Sequence, residues 1–242
     1  SDSPYLVATA DELAQVGSVC GLASAYRQTA NITLDSPATG SSNHSPIGRA
    51  VTRFTGSYDG AGKLIIGLMI NAPASDAIGL FGGTEGATLN DIHLIDARVS
   101  GNSDVGALVG YADSGTSITD CSATGAVSGA GSVGGLVGGL LSQSDAPSSV
   151  ERSQAAVSVS ATGSASGGLV GRTGIAAAVL YSRATGRVEG TQYVGGNSAK
   201  LTKTGKAALR KVYATASAGT ITKLKVTGVV NTRSYSLFTK RL

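Results

Sequence analysis

The stretch VGALVG at residues 105–110 recurs along the chain, and its spacing decides the fold. Further copies are IGLFG at 78–82, VGGLVG at 133–138, SGGLVG at 166–171 and a worn copy, YVGGNS, at 193–198. The closing glycines lie about 28 residues apart, and about 33 apart where LSQSDAPSS is inserted at 141–149. A fixed period of this length indicates stacked structural repeats.

A second pattern runs in phase with the first. Its copies are TSITDCSATGAVSG at 116–129, SSVERSQAAVSVSATG at 148–163, AVLYSRATGRVEG at 178–190 and ALRKVYATASAGT at 208–220. Each begins with one apolar residue, namely Ile118, Val150, Val179 or Leu209, followed by a polar turn and an alternating stretch. Alternation with period two is typical of strands with one buried face. Helical repeats are excluded because each interior glycine costs a helix about 1 kcal/mol.

These patterns together predict the architecture. Three short strands and three turns fit within about 28 residues, which is one coil of a parallel β-helix. We therefore expect an all-β fold, a right-handed parallel β-helix (β-solenoid) of Gly-rich coils. It forms one domain over 1–242, with an N-terminal cap and first coils at 1–75, Gly-rich repeats at 76–199 and a basic C-terminal coil or cap at 200–242.

The N-terminal segment departs from the repeat. TADELAQV at 9–16 places Thr9 and Glu12 at the spacing of a capping box, with Leu13 and Val16 on one side. This predicts a short helix that covers the open sheet edge of the first coil. AYRQTANITLD at 25–35 predicts an extended strand.

Composition supports a thin, elongated core. Glycine is abundant at 35 residues and aromatics make up only 5%, which suits a column filled by Val, Leu, Ile and Ala. All fifteen Asp and Glu precede residue 200, whereas residues 200–242 carry ten Lys and Arg. No nucleic-acid motif accompanies this basic end, and no stretch is long enough to span a bilayer. The opening SDSPY is consistent with a trimmed mature protein or an excised fragment.

The two cysteines, Cys20 and Cys121, leave three alternatives open. The pair fits one disulfide, two free thiols or two small buried apolar groups. Their spacing supports no metal site.

Several segments of the chain together resemble those of a known protein family. The chain contains, in this order, YLVATADELAQV at 5–16, FTGSYDGAGKLIIGLMI at 54–70, IGLFG and the GGLVG copies. The same order is found in bacterial surface proteins with the Glug motif, which is named for its Gly-Leu-any-Gly core. ANITLD at 30–35 and SPIG at 45–48 agree as well, so the resemblance covers roughly 5–200. It implies a right-handed parallel β-helix in secreted or surface-displayed proteins, with no catalytic role for the Glug segment itself.

Motifs that carry chemistry are weak in this chain. GAGSVG at 129–134 matches a dinucleotide fingerprint only in form, because it straddles a repeat boundary. His44 and His93 are expected to be solvated, and no GxSxG elbow exists for a Ser/His/Asp triad. Thr-x-Thr pairs such as Thr220–Thr222 are too scattered for ice binding.

Acidic pairs offer the one enzymatic alternative, a polysaccharide-active β-helix enzyme. The candidates are Asp91 with Asp96, and Asp113 with Asp120. Coils of about 28 residues would stack Asp91 on Asp120, but the next coils offer Glu151, Arg152 and Arg183, which suit catalysis poorly. We therefore predict no enzyme, no catalytic residues, no cofactor and no metal.

The basic C-terminal segment has two interpretations, a solvated terminal face or a contact surface for an acidic partner. Its candidate residues for a partner or for self-assembly are Lys223, Lys225, Arg233, Tyr235, Leu237, Phe238, Lys240 and Arg241. The partner would be an anionic glycan or host surface, or a second copy in a head-to-tail filament, because solenoid ends are open sheet edges. The sequence thus predicts a non-enzymatic extracellular or cell-surface module, structural or adhesive, of bacterial type. It predicts neither nucleic-acid binding nor membrane insertion.

Overall fold

The computed structural model describes residues 3–142, 145–163, 165–174, 176–191, 193–195, 198–201, 209–210 and 213–214. The first elements along the chain are β1 Tyr5–Val7, α1 Ala10–Gln15, β2 Ala25–Gln28, β3 Ile32–Thr33, β4 Ser57–Asp59, β5 Leu64–Ile66, β6 Met69–Asn71, β7 Phe81–Glu85, β8 Thr88–Asn90, β9 His93–Ser100, β10 Val109–Asp113, β11 Ser117–Thr119 and β12 Ser122–Gly129. They are followed by β13 Ser132–Gly134, β14 Val137–Leu140, β15 Ser149–Glu151, β16 Gln154–Ala161, β17 Ala165–Gly167, β18 Val170–Thr173, β19 Ala178–Leu180, β20 Arg183–Ala184, β21 Val188–Gly190, β22 Tyr193–Gly195, β23 Ser198–Leu201, β24 Leu209–Arg210 and β25 Tyr213–Ala214.

The strands form four parallel sheets that run along the molecule. The first has the order β1-β2-β4-β8-β11-β15-β19-β24, the second β25-β20-β16-β12-β9-β5-β3, the third β13-β17-β22 and the fourth β23-β18-β14-β10-β7. One coil passes through β11, β12, β13 and β14 before it enters the first sheet again at β15. This confirms the predicted parallel β-solenoid.

Pairing between coils keeps the predicted period. Val109 pairs in register with both Phe81 and Val137, at a spacing of about 28 residues. Val137 then pairs in register with Val170 across the insertion. The inserted residues therefore do not shift the register of the ladder.

Two details differ from the expectation. The coil that begins at Ser117 holds four strands and not three, because the Gly-rich motif forms two short strands, β13 and β14, with a tight turn between them. The segment 25–35 is not one strand, since it turns between β2 in the first sheet and β3 in the second.

The Gly-Leu-any-Gly motif lies where the main chains of two sheets come into close contact. A Cβ on Gly110 would lie 2.3 Å from the backbone of Ala77 and Ile78, and one on Gly138 would lie 2.3 Å from the backbone of Asp104 and Val105. No side chain fits at such distances. Glycine recurs here because the fourth sheet lies directly on the third-sheet segment of the preceding coil.

The core tapers along the axis. Inward positions of the first sheet are held by Tyr26, Tyr58, Leu89, Ile118, Val150 and Val179. Those of the second sheet are held by Ile32, Ile65, Leu94, Ala123, Ala155 and Ala184. Large side chains therefore fill the first coils and smaller ones the later coils.

Aromatic side chains are concentrated in the wide N-terminal part of the core. The rings of Tyr26 and Phe54 have centroids 6.1 Å apart, and those of Phe54 and Phe81 are 5.1 Å apart. Tyr58 meets Phe81 edge-on at 5.8 Å, an arrangement that aromatic pairs favour. Few aromatics suffice for the chain because only the first coils have room for them.

Helix α1 packs onto this end of the core. The Thr9 hydroxyl accepts a hydrogen bond from the Glu12 N–H at 3.2 Å, and the Glu12 carboxylate accepts one from the Thr9 N–H at 3.0 Å. Leu13 and Val16 are buried in the core cluster. The predicted capping box and apolar side are confirmed. Over the described part of the chain, no helix has the length and apolarity to cross a membrane.

Candidate functional site

Each of four successive coils turns from the first sheet to the second at one left-handed residue. Asp91, Asp120, Arg152 and Tyr181 occupy this position, with φ of 54°, 55°, 45° and 51°. Asp adopts this conformation readily because its short side chain bonds locally, whereas Arg and Tyr are outliers there. These four non-glycine residues form a stack along one corner of the solenoid, which we call the corner column.

Buried hydrogen bonds support the corner column from beneath. The N–H of Cys121 donates to the Ser153 hydroxyl at 3.1 Å, and the N–H of Ser153 donates to the Ser182 hydroxyl at 3.1 Å. The two hydroxyls donate at 2.8 Å to the carbonyls of Glu151 and Leu180. Because these buried polar groups are paired, the backbone under the corner is firmly placed.

Both cysteines are free thiols. Cys121 is buried in this hydrogen-bonded ladder, where its Sγ lies 3.2 Å from the Thr119 carbonyl. Burial raises the pKa of the Cys121 thiol to about 12. Of the alternatives that the sequence left open, the structure therefore supports free thiols, with Cys121 as a small buried group.

An outward row of polar side chains lies beside the corner column. His93, Ser122, Gln154 and Arg183 are paired in register at the start of the second-sheet strands. The His93 Nδ1 lies 2.8 Å from the Ser122 Oγ, and Arg183 donates to the Gln154 Oε1 at 3.1 Å. We call these four residues the outer row, and the row and the corner column together the corner surface.

Part of this surface has the bonding order of a catalytic triad. The His93 Nε2 lies 3.0 Å from the Asp91 Oδ1, so the imidazole links an acid to the Ser122 hydroxyl. A base between an acid and a hydroxyl is the arrangement that activates serine nucleophiles. No elbow motif marks this arrangement in the sequence, because Ser122 comes from the coil after Asp91 and His93.

The main-chain N–H groups of Cys121 and Ser122 already have hydrogen-bond partners. The Ser122 N–H donates to the Ile92 carbonyl and the Cys121 N–H donates to Ser153, so neither is free to stabilise an oxyanion. The side chains of Asp91 and His93 are 36% and 27% exposed, on an outward sheet face where water competes for their hydrogen bonds. His93 faces outward, as predicted.

The acidic residues that the sequence analysis singled out lie in three different places on the solenoid. Asp91 and Asp120 do stack at the corner, where Asp120 forms a two-bond ion pair with Arg152 at 2.8 and 2.9 Å. The hydrogen bond from Arg152 lowers the pKa of the Asp120 carboxyl. Asp96 is a left-handed residue within β9, and Asp113 lies in the fourth sheet. Among the described residues, no three His, Cys, Asp or Glu side chains gather in a way that could hold a metal ion.

A second polar cluster lies on the fourth sheet around Tyr111. The guanidinium carbons of Arg53 and Arg172 lie 5.1 and 5.8 Å from the centre of its ring. Arg53 pairs with Asp113 at 2.9 Å, and Arg172 pairs with Asp104 at 2.7 Å. Because each cation has its own carboxylate, this cluster holds coils together and offers no unpaired charge to a ligand. Burial raises the pKa of the Tyr111 hydroxyl.

His44 corrects an expectation. The sequence predicted a solvated side chain in a polar loop, but His44 is only 6% exposed, and both ring nitrogens lack a hydrogen-bond partner in the described structure. Burial lowers its pKa to about 4, so the ring is neutral at neutral pH. A polar sequence context did not reveal that the loop folds this side chain inward.

The predicted contact residues of the C-terminal segment, Lys223, Lys225, Arg233, Tyr235, Leu237, Phe238, Lys240 and Arg241, lie outside the described residues. The same holds for Thr220 and Thr222. The sequence analysis stacked Asp91 on Asp120 and placed Arg152 and Arg183 in the next coils, but it did not join them with His93, Ser122, Gln154 and Tyr181 into one surface. The second repeat pattern aligns Asp120, Arg152 and Tyr181 at one position, which marks a shared corner.

Comparison with known proteins agrees with the fold. The GLUG motif matches residues 101–128. The chain carries the Glug motif. This confirms its resemblance to Glug-motif surface proteins. Because Ser128 pairs with Ser100, the matched segment is one full turn of the solenoid.

Halomucin of Haloquadratum walsbyi (strain DSM 16790 / HBSQ001) is 35% identical over 147 residues. The aligned region covers 56% of this chain and 2% of halomucin, so the chain spans a small part of that relative. The similarity is therefore to one segment of a far longer protein.

A crystal structure described as a "putative immunoglobulin A1 protease" from Bacteroides ovatus has the same fold. It superposes with a TM-score of 0.73 at 21% identity and covers 88% of this chain and 66% of that one. At this level of identity the likeness concerns the fold alone.

Proposed function

We propose that this chain is a non-enzymatic structural and adhesive module of a secreted or surface-displayed protein. The observation that carries the proposal is the uninterrupted parallel ladder of the first sheet, from β1 to β19. A solenoid in which every coil bonds to its neighbours is a stiff rod that presents the same positions repeatedly along its length. Such a rod can hold a contact surface away from a cell.

Two comparisons support the extracellular setting. The Glug motif occurs in surface proteins, and the match to halomucin covers a segment that is a small part of a very long chain. A short rod that is repeated or inserted within a longer protein acts as a spacer or contact element. The occupied N–H groups around Ser122 support the absence of catalysis.

A co-sedimentation experiment tests this proposal. Purified chain is mixed with insoluble cell-envelope and extracellular-matrix material, and both the bound protein and any soluble fragments released from the material are measured. We expect saturable binding without release of sugar or peptide. Release of fragments that disappears in a His93→Ala variant would overturn the non-enzymatic part, and absence of retention on every surface material would overturn the adhesive part.

A separate probe addresses Ser122 directly. A fluorophosphonate that labels activated serines should leave the folded chain unmodified, because the oxyanion donors of a serine hydrolase are not available here. Labelling of Ser122 that is lost in His93→Ala would instead favour an enzyme.

A head-to-tail filament is a second candidate, favoured by the charge of the chain. Every acid precedes residue 200, and the ten Lys and Arg after it face no acid in their own segment. Negative-stain electron microscopy across salt concentrations tests this assembly. Fibres that shorten as salt rises would support it, because salt screens exposed charges, and short separate rods at every concentration would exclude it.

A further inference from the structure

The corner surface has a repeat that suits a linear polymer. Neighbouring strands lie about 4.8 Å apart, so its four coils offer polar side chains over about 14 Å along the axis. This spacing is close to the length of one sugar ring. A polysaccharide laid parallel to the axis would meet one corner residue and one outer-row residue at each ring.

The two ends of the corner surface differ in how many of their polar side chains already have a hydrogen-bond or ion-pair partner. At the N-terminal end, Asp91 and Ser122 share His93, and Asp120 is paired with Arg152. At the C-terminal end, Tyr181 is exposed over 60% of its surface and Arg183 is exposed. Binding capacity is therefore concentrated at the C-terminal end.

Arg183 holds a positive charge that no described carboxylate neutralises. Its guanidinium donates to the Gln154 Oε1, which is a neutral acceptor. This bond orients the Gln154 amide, and its nitrogen can donate to a ligand. Arg187, in the same coil, is by contrast paired with Glu189. An uncompensated, exposed guanidinium has the planar fork that binds a carboxylate through two hydrogen bonds.

Tyr181 supplies an apolar platform beside this charge. It occupies the left-handed corner position with φ of 51°, two residues before Arg183, and the ladder under the corner fixes its backbone. An exposed tyrosine ring with a polar tip is suited to a ligand with both C–H and hydroxyl groups. A sugar ring has this character.

The carboxylates of the corner column limit the charge of the ligand. Asp120 is neutralised by Arg152, but Asp91 lies on the same corner as Arg183, so a densely charged polyanion would gain one unpaired cation and be repelled by the Asp91 carboxylate. A chain of hydroxyl-rich rings with carboxylates at intervals avoids this repulsion and still offers one carboxylate to Arg183.

We propose that the corner surface binds a linear polysaccharide that contains uronic acid residues among uncharged ones. The chain lies along the solenoid axis, with a carboxylate on Arg183, a ring against Tyr181 and a hydroxyl on Gln154. This inference names the partner of the adhesive module and rests on that proposed function.

The test uses partially methyl-esterified polygalacturonate as the probe, with fully esterified polymer and heparin for comparison. Isothermal titration should show binding of the partially esterified polymer that is stronger than binding of either comparison polymer. Arg183→Gln should weaken it roughly tenfold or more, the usual effect of losing a charge-assisted hydrogen bond. Tyr181→Ala should weaken it as well, because the sugar ring loses its aromatic platform. The matched control Arg187→Gln removes the same charge in the same coil and should change affinity by less than about twofold.

Thermal unfolding of each variant keeps the result interpretable. These side chains are exposed, so Arg183→Gln and Arg187→Gln should unfold at the same temperature as the parent chain. Equal affinity of the parent and Arg183→Gln, or stronger binding to heparin, would overturn this inference. Retention on cell-envelope material without any binding of polygalacturonate would overturn the partner while the adhesive module stands.

Discussion

Arg172 pairs with Asp104 across two coils, with its Nε 2.7 Å from Oδ1 and its Nη2 2.8 Å from Oδ2. The pair passes over Gly139 in the coil between them, where a Cβ would lie 2.9 Å from the Asp104 Oδ1. The glycine thus leaves space for the bridge. A contact that skips one coil ties three successive coils together, from the residue before Val105 to the fourth-sheet strand β18.

The first prediction concerns this bridge. Asp104→Ala should lower the free energy of unfolding by about 2 kcal/mol, because it leaves the half-buried Arg172 guanidinium without its charged acceptor. Chemical denaturation measures the change. Glu189→Ala is the matched control, since it removes one partner of an exposed ion pair and should cost less than about 1 kcal/mol. Equal losses in both variants would show that Asp104 does not act through Arg172.

The second prediction concerns the Gly-Leu-any-Gly motif. Gly138→Ala should destabilise the chain by more than about 3 kcal/mol or prevent folding, because its Cβ would meet the Asp104 backbone at 2.3 Å. Gly40→Ala is the control, since Gly40 has open space around it and only its positive φ opposes a side chain, whereas Gly138 has no positive φ. It should cost about 1 kcal/mol, the conformational part alone. A mild Gly138→Ala variant would contradict the close main-chain contact.

The third prediction concerns pH. The unfolded His44 binds a proton near pH 6.5, whereas burial holds the folded pKa at about 4. Between these values the unfolded chain holds more protons, so stability falls as pH drops from about 6.5 to about 4, by about 3 kcal/mol. Denaturant titrations across this range should show the fall.

Two variants isolate the histidine. His44→Leu should flatten the pH profile above about pH 4, because no buried imidazole remains to be protonated. His93→Gln should keep the fall, since its side chain is on the outer surface. A profile that His44→Leu leaves unchanged would place the acid sensitivity elsewhere in the molecule.

The fourth prediction concerns the thiols. In the folded chain, a disulfide-exchange reagent should titrate Cys20 and leave Cys121 unreacted, because Cys121 is buried and its pKa is raised to about 12. Both should react in denaturant. The absence of one thiol under reducing-agent-free denaturing conditions would indicate a disulfide and contradict this structure.

Much of the fold was readable from the sequence. The spacing of Gly82, Gly110 and Gly138 gave the coil length, and the leading apolar residues gave the register that pairs Ile118 with Val150. The Thr9–Glu12 capping box gave the helix. These features were predictable because they depend on local period and local hydrogen bonds.

The candidate site was less predictable. The Asp91–His93–Ser122 chain and the Arg172–Asp104 bridge join residues from different coils, so they depend on which outward side chains become neighbours after stacking. The burial of His44 depends on how an irregular loop packs. The coil has four strands because the Gly-rich motif forms two short strands, β13 and β14, and not one. Both strands depend on pairing with neighbouring coils, which the local sequence pattern does not show.

One measurement tests most directly whether this rod binds a surface polymer without cleaving it. Partially esterified polygalacturonate is incubated with the chain and passed over a sizing column with light scattering. The account predicts that the protein elutes with the polymer, that the polymer keeps its molar mass, and that Arg183→Gln elutes separately. A polymer whose molar mass falls with time, and stays constant with His93→Ala, would contradict the account and identify an enzyme.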